Sequence, residues 1–469
     1  MLFPTIEFAA FFAVVFAVSW ALNSHNTTKK CFLVLASYFF YAFWKLSYVL
    51  VLFASSTANW ALALLLGRMT DGPLRRVVFW LGVAGNLAVL GVFKYYDFFV
   101  AETMNALWKA GIRVSLPFLE LGIPVAISFL TFHALSYIID VYNRRIEPTT
   151  SLIDILFYIS FFPHLVAGPI VRARDFLAQT VHVSRPSDVR LGESVLLIVG
   201  GLFKKVIVAN YISTDFVDGV FANPIAYSSL DLLLGMYAYA IQIYCDFSAY
   251  TDIAIGVACL LGYRFPQNFN QPYRALSVTD FWRRWHITLS SWLRDYLYIP
   301  LGGNRRGRVR TYVNLMLTML LGGLWHGASW HFVLWGALHG LALAVERLFG
   351  ITADGPRRLP AVLCWLITFH FVCITWVFFR ADSLESALMY LGNLAGGDVF
   401  WSTTMTWWVA LMLLCGAVTQ FWPGHWFDAA AAAYDRASLP VKIAIPFAVI
   451  FLVAVAAPGG IPPFIYFQF

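Results

Sequence analysis

Long apolar runs separated by short polar or turn-rich segments recur along almost the whole chain. A helix needs roughly 20 apolar residues to cross a bilayer. Runs of that kind fall near 5–22, 31–44, 46–66, 77–95, 121–142, 152–170, 193–210, 230–262, 311–325, 328–348, 359–379, 405–422 and 441–458. The 230–262 run is long enough to contain a break. Three others, 31–44, 152–170 and 311–325, are too short or too polar to cross alone. They read as re-entrant or half-crossing helices, which survive only where protein or a water cavity surrounds the backbone. The pattern predicts an all-α, polytopic integral membrane protein with about 11–13 transmembrane or re-entrant helices. It reads as a single integral membrane domain over 1–469, with a motif-rich core at about 120–350. No clean internal repeat is present, which weighs against an inverted-repeat transporter.

Composition sharpens this picture. The chain is 60% hydrophobic and 12% charged, against about 25% charged in ordinary soluble domains. Its 18 tryptophans suit a protein with many membrane–water boundaries. The net charge of +7 supplies cytoplasmic loop charge and gives no reason to expect nucleic-acid binding. Arg264 to Arg310 is the richest basic stretch, and Arg172, Arg174, Arg185 and Arg190 form another, followed by Lys204 and Lys205. By the positive-inside rule these face the cytoplasm. The acid-leaning segment between 379 and 405, with Asp382, Glu385 and Asp398, faces outward. The six cysteines form no C-x-x-C pair and sit in or beside apolar stretches, so they read as reduced small hydrophobes. The first apolar run has no basic flank and no clear cleavage site, and reads as a retained helix.

One dense polar run interrupts the apolar background, Asp280-Phe-Trp-Arg-Arg-Trp-His286 to Tyr298, and a second histidine follows in Leu324-Trp-His326-Gly. The two histidines are 40 residues apart, each preceded by tryptophan. Ionisable groups at membrane depth are costly and mark function. His326 has no Asp, Glu, Lys or Arg within ten residues on either side, and Gly327 beside it permits close approach of a substrate or backbone. Desolvation keeps such an imidazole neutral and able to accept a proton, as a general base needs. On a helix, Trp282, Trp285 and His286 share one face. An amphipathic helix at the cytoplasmic interface is expected, aromatic inward and basic outward. Arg283, Arg284, Trp285, Trp325 and Asn270 are the candidate lining of the donor side or tunnel. The basic face could attract the phosphates of coenzyme A.

Other polar residues carry blander expectations. His339 and His331 read as packing or hydrogen-bonding groups, His164 as structural or donor-side lining, and His133 with Asp140, seven apart on one face, as a buried polar pair. His25, His182 and His425 read as loop residues. Asp246 and Asp252 stand six apart in an apolar helix. No G-x-S-x-G elbow, P-loop or H-E-x-x-H motif occurs. No close ligand pair supports a metal site built from His286, His326 and Asp246.

At these residues the chain resembles the membrane-bound O-acyltransferase family, and more closely its AlgI-type bacterial branch. The matching pieces are Ser128–His133 to Asp140, Phe162–Pro169, Tyr244–Ser248 to Asp252, Asn268–Tyr273, Phe281–His286 to Leu301-Gly-Gly-Asn304, and Gly323–Gly327. The resemblance implies an O-acyltransferase whose helices surround a central tunnel through the bacterial inner membrane. It implies that His326 is the catalytic histidine and His286 the second active-site position, where many relatives carry Asn or Asp. It further implies acetyl-CoA as the cytosolic donor, with no permanently bound cofactor, and a polysaccharide acceptor such as alginate or cellulose. A periplasmic acetyltransferase partner of the AlgJ/AlgX type would receive the acetyl group, and membrane lipid would surround the protein. A DltB-like D-alanyl transferase acting on teichoic acid, or a polysaccharide transporter or flippase, are the rival readings.

Overall fold

A computed structural model describes residues 1–166, 168–355, 359–396, 404–456 and 464–465. Ala167, Asp398 and the last two residues of the 441–458 run lie outside them. Helices are the regular structure of the described residues, with no strand among them.

Five helices are long and apolar enough to cross a membrane: Leu46–Arg68, Pro73–Lys109, Leu191–Ala222, Ser229–Leu260 and Ala361–Arg380. Shorter apolar helices occupy Ile6–Ala21, Ile127–Tyr142, Trp407–Val418 and Leu439–Val453. The 77–95 run proves longer than its apolar pattern, because a π-helical turn at Gly91–Tyr95 carries it on into Tyr96–Lys109. The 230–262 run holds no break and is one 32-residue helix, Ser229–Leu260. The 152–170 run is broken, as expected of a segment that does not cross: Leu152–Ser160 gives way at Phe161 to a single turn, Phe162–Leu165.

The chain divides into two compact units. The first holds Glu7–Val189 and Leu261–Phe265. Its centre is Ile127–Tyr142, buried on nearly every face, against which Leu46–Arg68 and Pro73–Leu90 pack. Polar residues here settle differently from the sequence expectation. His133 does not meet Asp140; seven residues along a helix are about 10 Å of rise, too far for side chains to touch. Asp140 pairs instead with Arg145 at 3.2 Å. The His133 ring lies 4.7 Å from that of His164, whose Nε2 bonds to the Tyr158 carbonyl at 2.8 Å.

The second unit holds Leu2–Ile6, Arg190–Leu260 and Pro266–Phe469. Ser229–Leu260 runs through its middle, 83% of its most apolar window being buried. In the same unit, Arg308–His326 and Trp330–Leu348 form an antiparallel helical hairpin. Glycine makes their close contact possible: a Cβ on Gly323 would collide with the Phe332 carbonyl, and one on Gly336 with that of Met319. Small residues at such crossings are the membrane-protein route to tight helix packing.

Lys204 and Lys205 depart from the loop-charge expectation. Both sit inside Leu191–Ala222, where Lys204 pairs with Asp252 at 2.5 Å and Lys205 with Asp246 at 2.8 Å. Charges at this depth are tolerated when they neutralise one another. The two carboxylates six residues apart on Ser229–Leu260 thus serve as counter-ions for consecutive lysines.

Candidate active site

The Trp/Arg run does not form one helix. Val278–Arg284 starts on Ser277, whose hydroxyl caps the Asp280 amide. Glu346 adds a carboxylate to the Val278 and Thr279 amides, the sign a helix N-terminus favours. The helix stops at Trp285, which is extended; His286 then takes φ +43°, and a new helix runs Ile287–Leu293. A non-glycine residue holds a left-handed backbone only where its surroundings impose it. Here the imposing segment is the turn at Asn268–Asn270. The Asn270 amide donates to the Arg284 carbonyl, and the Ile287 amide donates to the Asn268 carbonyl, both at 2.9 Å.

That break reverses the direction of His286 and buries it completely. Its Nδ1 lies 3.1 Å from Asn268 Oδ1, which also accepts from the Thr288 amide at 3.2 Å and the Thr288 hydroxyl at 2.8 Å. A backbone amide can only donate, so the Asn268 atom facing it is the oxygen. An amide oxygen carries no hydrogen, so His286 Nδ1 must donate. In the neutral ring Nε2 is then left with its lone pair. His286 lies between two short helices, outside the membrane-spanning runs, and burial pushes its pKa down to about 3. Nε2 is buried and has no hydrogen-bond partner among the described residues. An acceptor left bare in a buried site is costly, and its natural complement is a hydroxyl.

A pH dependence follows. The folded pKa is depressed from about 6.5, so below that pH the unfolded chain takes up a proton that folded His286 refuses. Its contribution to stability therefore falls as pH drops from about 6.5 toward 3. Nitrogen NMR of ring-labelled protein should show the neutral Nδ1–H tautomer unchanged between about pH 8 and pH 5. An imidazolium signal in that interval would contradict the assignment.

His326 closes the helix Arg308–His326 and is likewise buried. Its ring meets three aromatic rings nearly edge-on: Trp325 at 4.9 Å, Trp335 at 5.0 Å and Phe379 at 5.2 Å. Trp325 also lies 6.3 Å from His286, so both histidines contact one indole. The opening expected beside Gly327 is taken by the chain itself, since a Cβ there would strike the Phe332 ring. Phe247 closes the other side of His286 at 4.7 Å.

The remaining candidates separate by depth. Trp285 and Trp325 are buried, Trp285 packing 4.9 Å from Trp376. Arg283 faces out and pairs with Asp354, and Arg284 pairs with Asp280 at 2.8 Å. Aromatic-in and basic-out therefore holds although the single helix does not. Asn270 is exposed and contributes only backbone to the turn, whereas Asn268, two residues earlier, is buried against His286. The sequence contained no signal to separate the two asparagines. Trp335 was also missed; among the described residues its Nε1 is buried with no hydrogen-bond partner, as is Asn268 Nδ2. These two donors and the His286 Nε2 acceptor belong to the same aromatic shell.

His339 behaves as a tie. Its Nδ1 accepts from Trp282 Nε1 at 3.2 Å and its Nε2 faces Thr375 Oγ1 at 3.0 Å, joining three helices. His331 Nδ1 meets the Phe378 carbonyl at 2.9 Å. His25, His182 and His425 are exposed, although His425 belongs to the start of the helix Gly424–Arg436 rather than to a loop. Among the described residues no group of three or more His, Cys, Asp or Glu side chains is placed to hold a metal ion.

Five helices long and apolar enough to cross a membrane, with two buried histidines in the second unit, define a multi-pass membrane protein. Residues 144–388 match the family model described as MBOAT, membrane-bound O-acyltransferase family. The chain is 43% identical to the probable alginate O-acetylase AlgI of Pseudomonas aeruginosa, over 82% of this chain and 73% of that protein. It is 40% identical to a peptidoglycan O-acetyltransferase of Helicobacter pylori, over 78% of this chain and 74% of that one. A teichoic acid D-alanyltransferase of Bacillus subtilis is 30% identical over 54% of this chain and 68% of its own. The chain belongs to the membrane-bound O-acyltransferase family. It is an O-acyltransferase, and the transporter reading falls away.

Proposed function

We propose that this protein takes an acetyl group from cytosolic acetyl-CoA and passes it across the bacterial inner membrane for O-acetylation of a secreted or cell-surface polysaccharide. A periplasmic partner of the AlgJ/AlgX type is the proposed receiver. His326 removes the proton from the acceptor hydroxyl as its oxygen attacks the thioester carbonyl. The carbon–sulfur bond breaks, and the imidazolium returns the proton to the leaving thiolate. His286 accepts a hydrogen bond at Nε2 and aligns the hydroxyl, while Trp335 Nε1 and Asn268 Nδ2 are the donors available to a developing oxyanion. A central tunnel would let donor and acceptor meet without crossing lipid, and holding them in line lowers the entropic part of the barrier.

The observation carrying this reading is His286 Nε2: buried, unprotonated and awaiting a donor. Acetyltransferase names among relatives covering most of the chain favour acetyl over D-alanyl cargo. The test uses proteoliposomes carrying the purified protein, supplied with the periplasmic partner and an acceptor glycan on the side opposite the basic loops. Labelled acetyl-CoA on the basic-loop side should yield acetylated product, and a D-alanyl carrier protein should yield none. Transfer of D-alanine alone would overturn the proposal.

A further inference from the structure

A cavity of about 580 Å³ lies in the second unit, well apart in sequence from both histidines. It is lined by Ile207, Tyr211 and Asp215 from one helix and by Thr406, Trp407, Trp408 and Met412 at the start of another. The volume is in the range of small-ligand sites, roughly 300–1,000 Å³. Its lining is mixed in an informative way. Trp407 and Trp408 stack with ring centroids 3.8 Å apart and planes 27° from parallel. Both are more than half exposed, at 66% and 52%. They present a broad indole face to whatever fills the space.

The bland account of two exposed tryptophans is an aromatic belt facing lipid headgroups. Asp215 argues otherwise. Its carboxylate accepts from the Thr214 hydroxyl at 2.8 Å, and among the described residues no cation pairs with it. An unneutralised carboxylate is expensive against hydrocarbon, so this wall faces water. The positive-inside rule gives the side. Leu191–Ala222 begins beside the basic Arg172–Arg190 stretch, so its Ala222 end points outward. Residues 404–408 follow the acid-leaning segment that also faces outward. The cavity therefore opens on the face where the acyl group must emerge.

We propose that this cavity docks an uncharged segment of the acceptor glycan on the outer face. The inference rests on the polysaccharide reading above and narrows its substrate class. Sugar rings expose weakly positive C–H bonds on one face, which pack on the electron-rich face of indole. Their hydroxyls donate to the Asp215 carboxylate, a charge-assisted bond stronger than a neutral one. The same carboxylate repels a uronate or phosphate carried by the polymer. Neutral hexose polymers are accepted and polyanionic ones refused.

The test is calorimetric titration of the full chain in nanodiscs with two probes of equal length, cellohexaose and a hexamer of mannuronate, with empty nanodiscs as the lipid control. Cellohexaose should bind saturably, and the hexuronate at least tenfold more weakly. Trp407→Ala with Trp408→Ala should weaken cellohexaose binding at least tenfold. The Phe pair at the same positions should retain most of it, which excludes simple misfolding. Asp215→Asn should narrow the gap between the two probes. Absence of saturable cellohexaose binding, equal affinity for both probes, or binding indifferent to the alanine pair would overturn the proposal. His326→Ala should bind cellohexaose as the unaltered protein does. If acetyl transfer proceeds while no glycan docks, this inference fails and the transfer reading stands. If glycan docks but no acetyl moves, the transfer reading fails instead.

Discussion

His326→Ala is expected to lower acetyl transfer by about 10²–10⁴-fold, the contribution of a positioned general base, while the protein remains in the membrane at normal abundance. The ring sits at the end of its helix, before an extended glycine, and packs among Trp325, Trp335 and Phe379. Removing it leaves a space bounded by indole and phenyl rings, so the fold should tolerate the loss better than the chemistry does. The measurement is single-turnover transfer of labelled acetyl in proteoliposomes, alongside thermal denaturation of the same preparation. Equal transfer by both proteins would remove His326 from the reaction. His286→Ala should be milder in rate, but should also strip Asn268 Oδ1 of one of its three donors, leaving the two from Thr288, and lower stability. The two histidines are therefore distinguishable: one variant loses rate alone, the other loses rate and melting temperature together.

Lys205→Met is expected to cost about 3–5 kcal/mol of stability, the usual penalty for stranding one member of a buried ion pair. Lys205 and Asp246 are each almost wholly buried, at 4% and 5% side-chain exposure. The lysine ammonium also lies 5.6 Å from the centroid of the Tyr250 ring. Asp246 additionally accepts from the Ile465 amide at 3.0 Å. Without Lys205 the carboxylate keeps that one neutral donor and must take up a proton or admit water. Lys205→Met combined with Asp246→Asn should recover most of the loss, because an amide oxygen still serves Ile465 and no charge remains. The readout is midpoint of denaturation in detergent for the parent and the two variants. A single variant as stable as the parent would show that the pair is not closed in solution. Activity should follow, since Phe247, next to Asp246, lies against His286.

The helical class, the places of the apolar helices and the burial of the two histidines were legible because each rests on a local property. Hydropathy over a window marks a span whatever it packs against, and isolated histidines stand out from an apolar background. The aromatic-in, basic-out sense of Phe281–Trp285 was legible for the same reason. The break at Trp285–His286 was not. Three-and-four spacing argues for one continuous helix there, and hydrogen bonds from a turn at residues 268–270 override it. Periodicity likewise assigned His133 and Asp140 to one face but gave no account of the distance between them along the axis. The lysine–aspartate ladder escaped notice because its members come from neighbouring helices. Lys204 and Lys205 read as loop charge until Asp252 and Asp246 are brought beside them.

The sequence by itself determined that this chain lives in a membrane, that it is helical, and which imidazoles deserved suspicion, since composition and motif spacing need no partner to be read. Only the tertiary structure decided that Asn268 rather than Asn270 meets His286, which ring nitrogen carries the proton, and that both histidines share Trp325. Those are properties of pairs of side chains distant in the chain, and a protonation state is set by the neighbour that folding supplies.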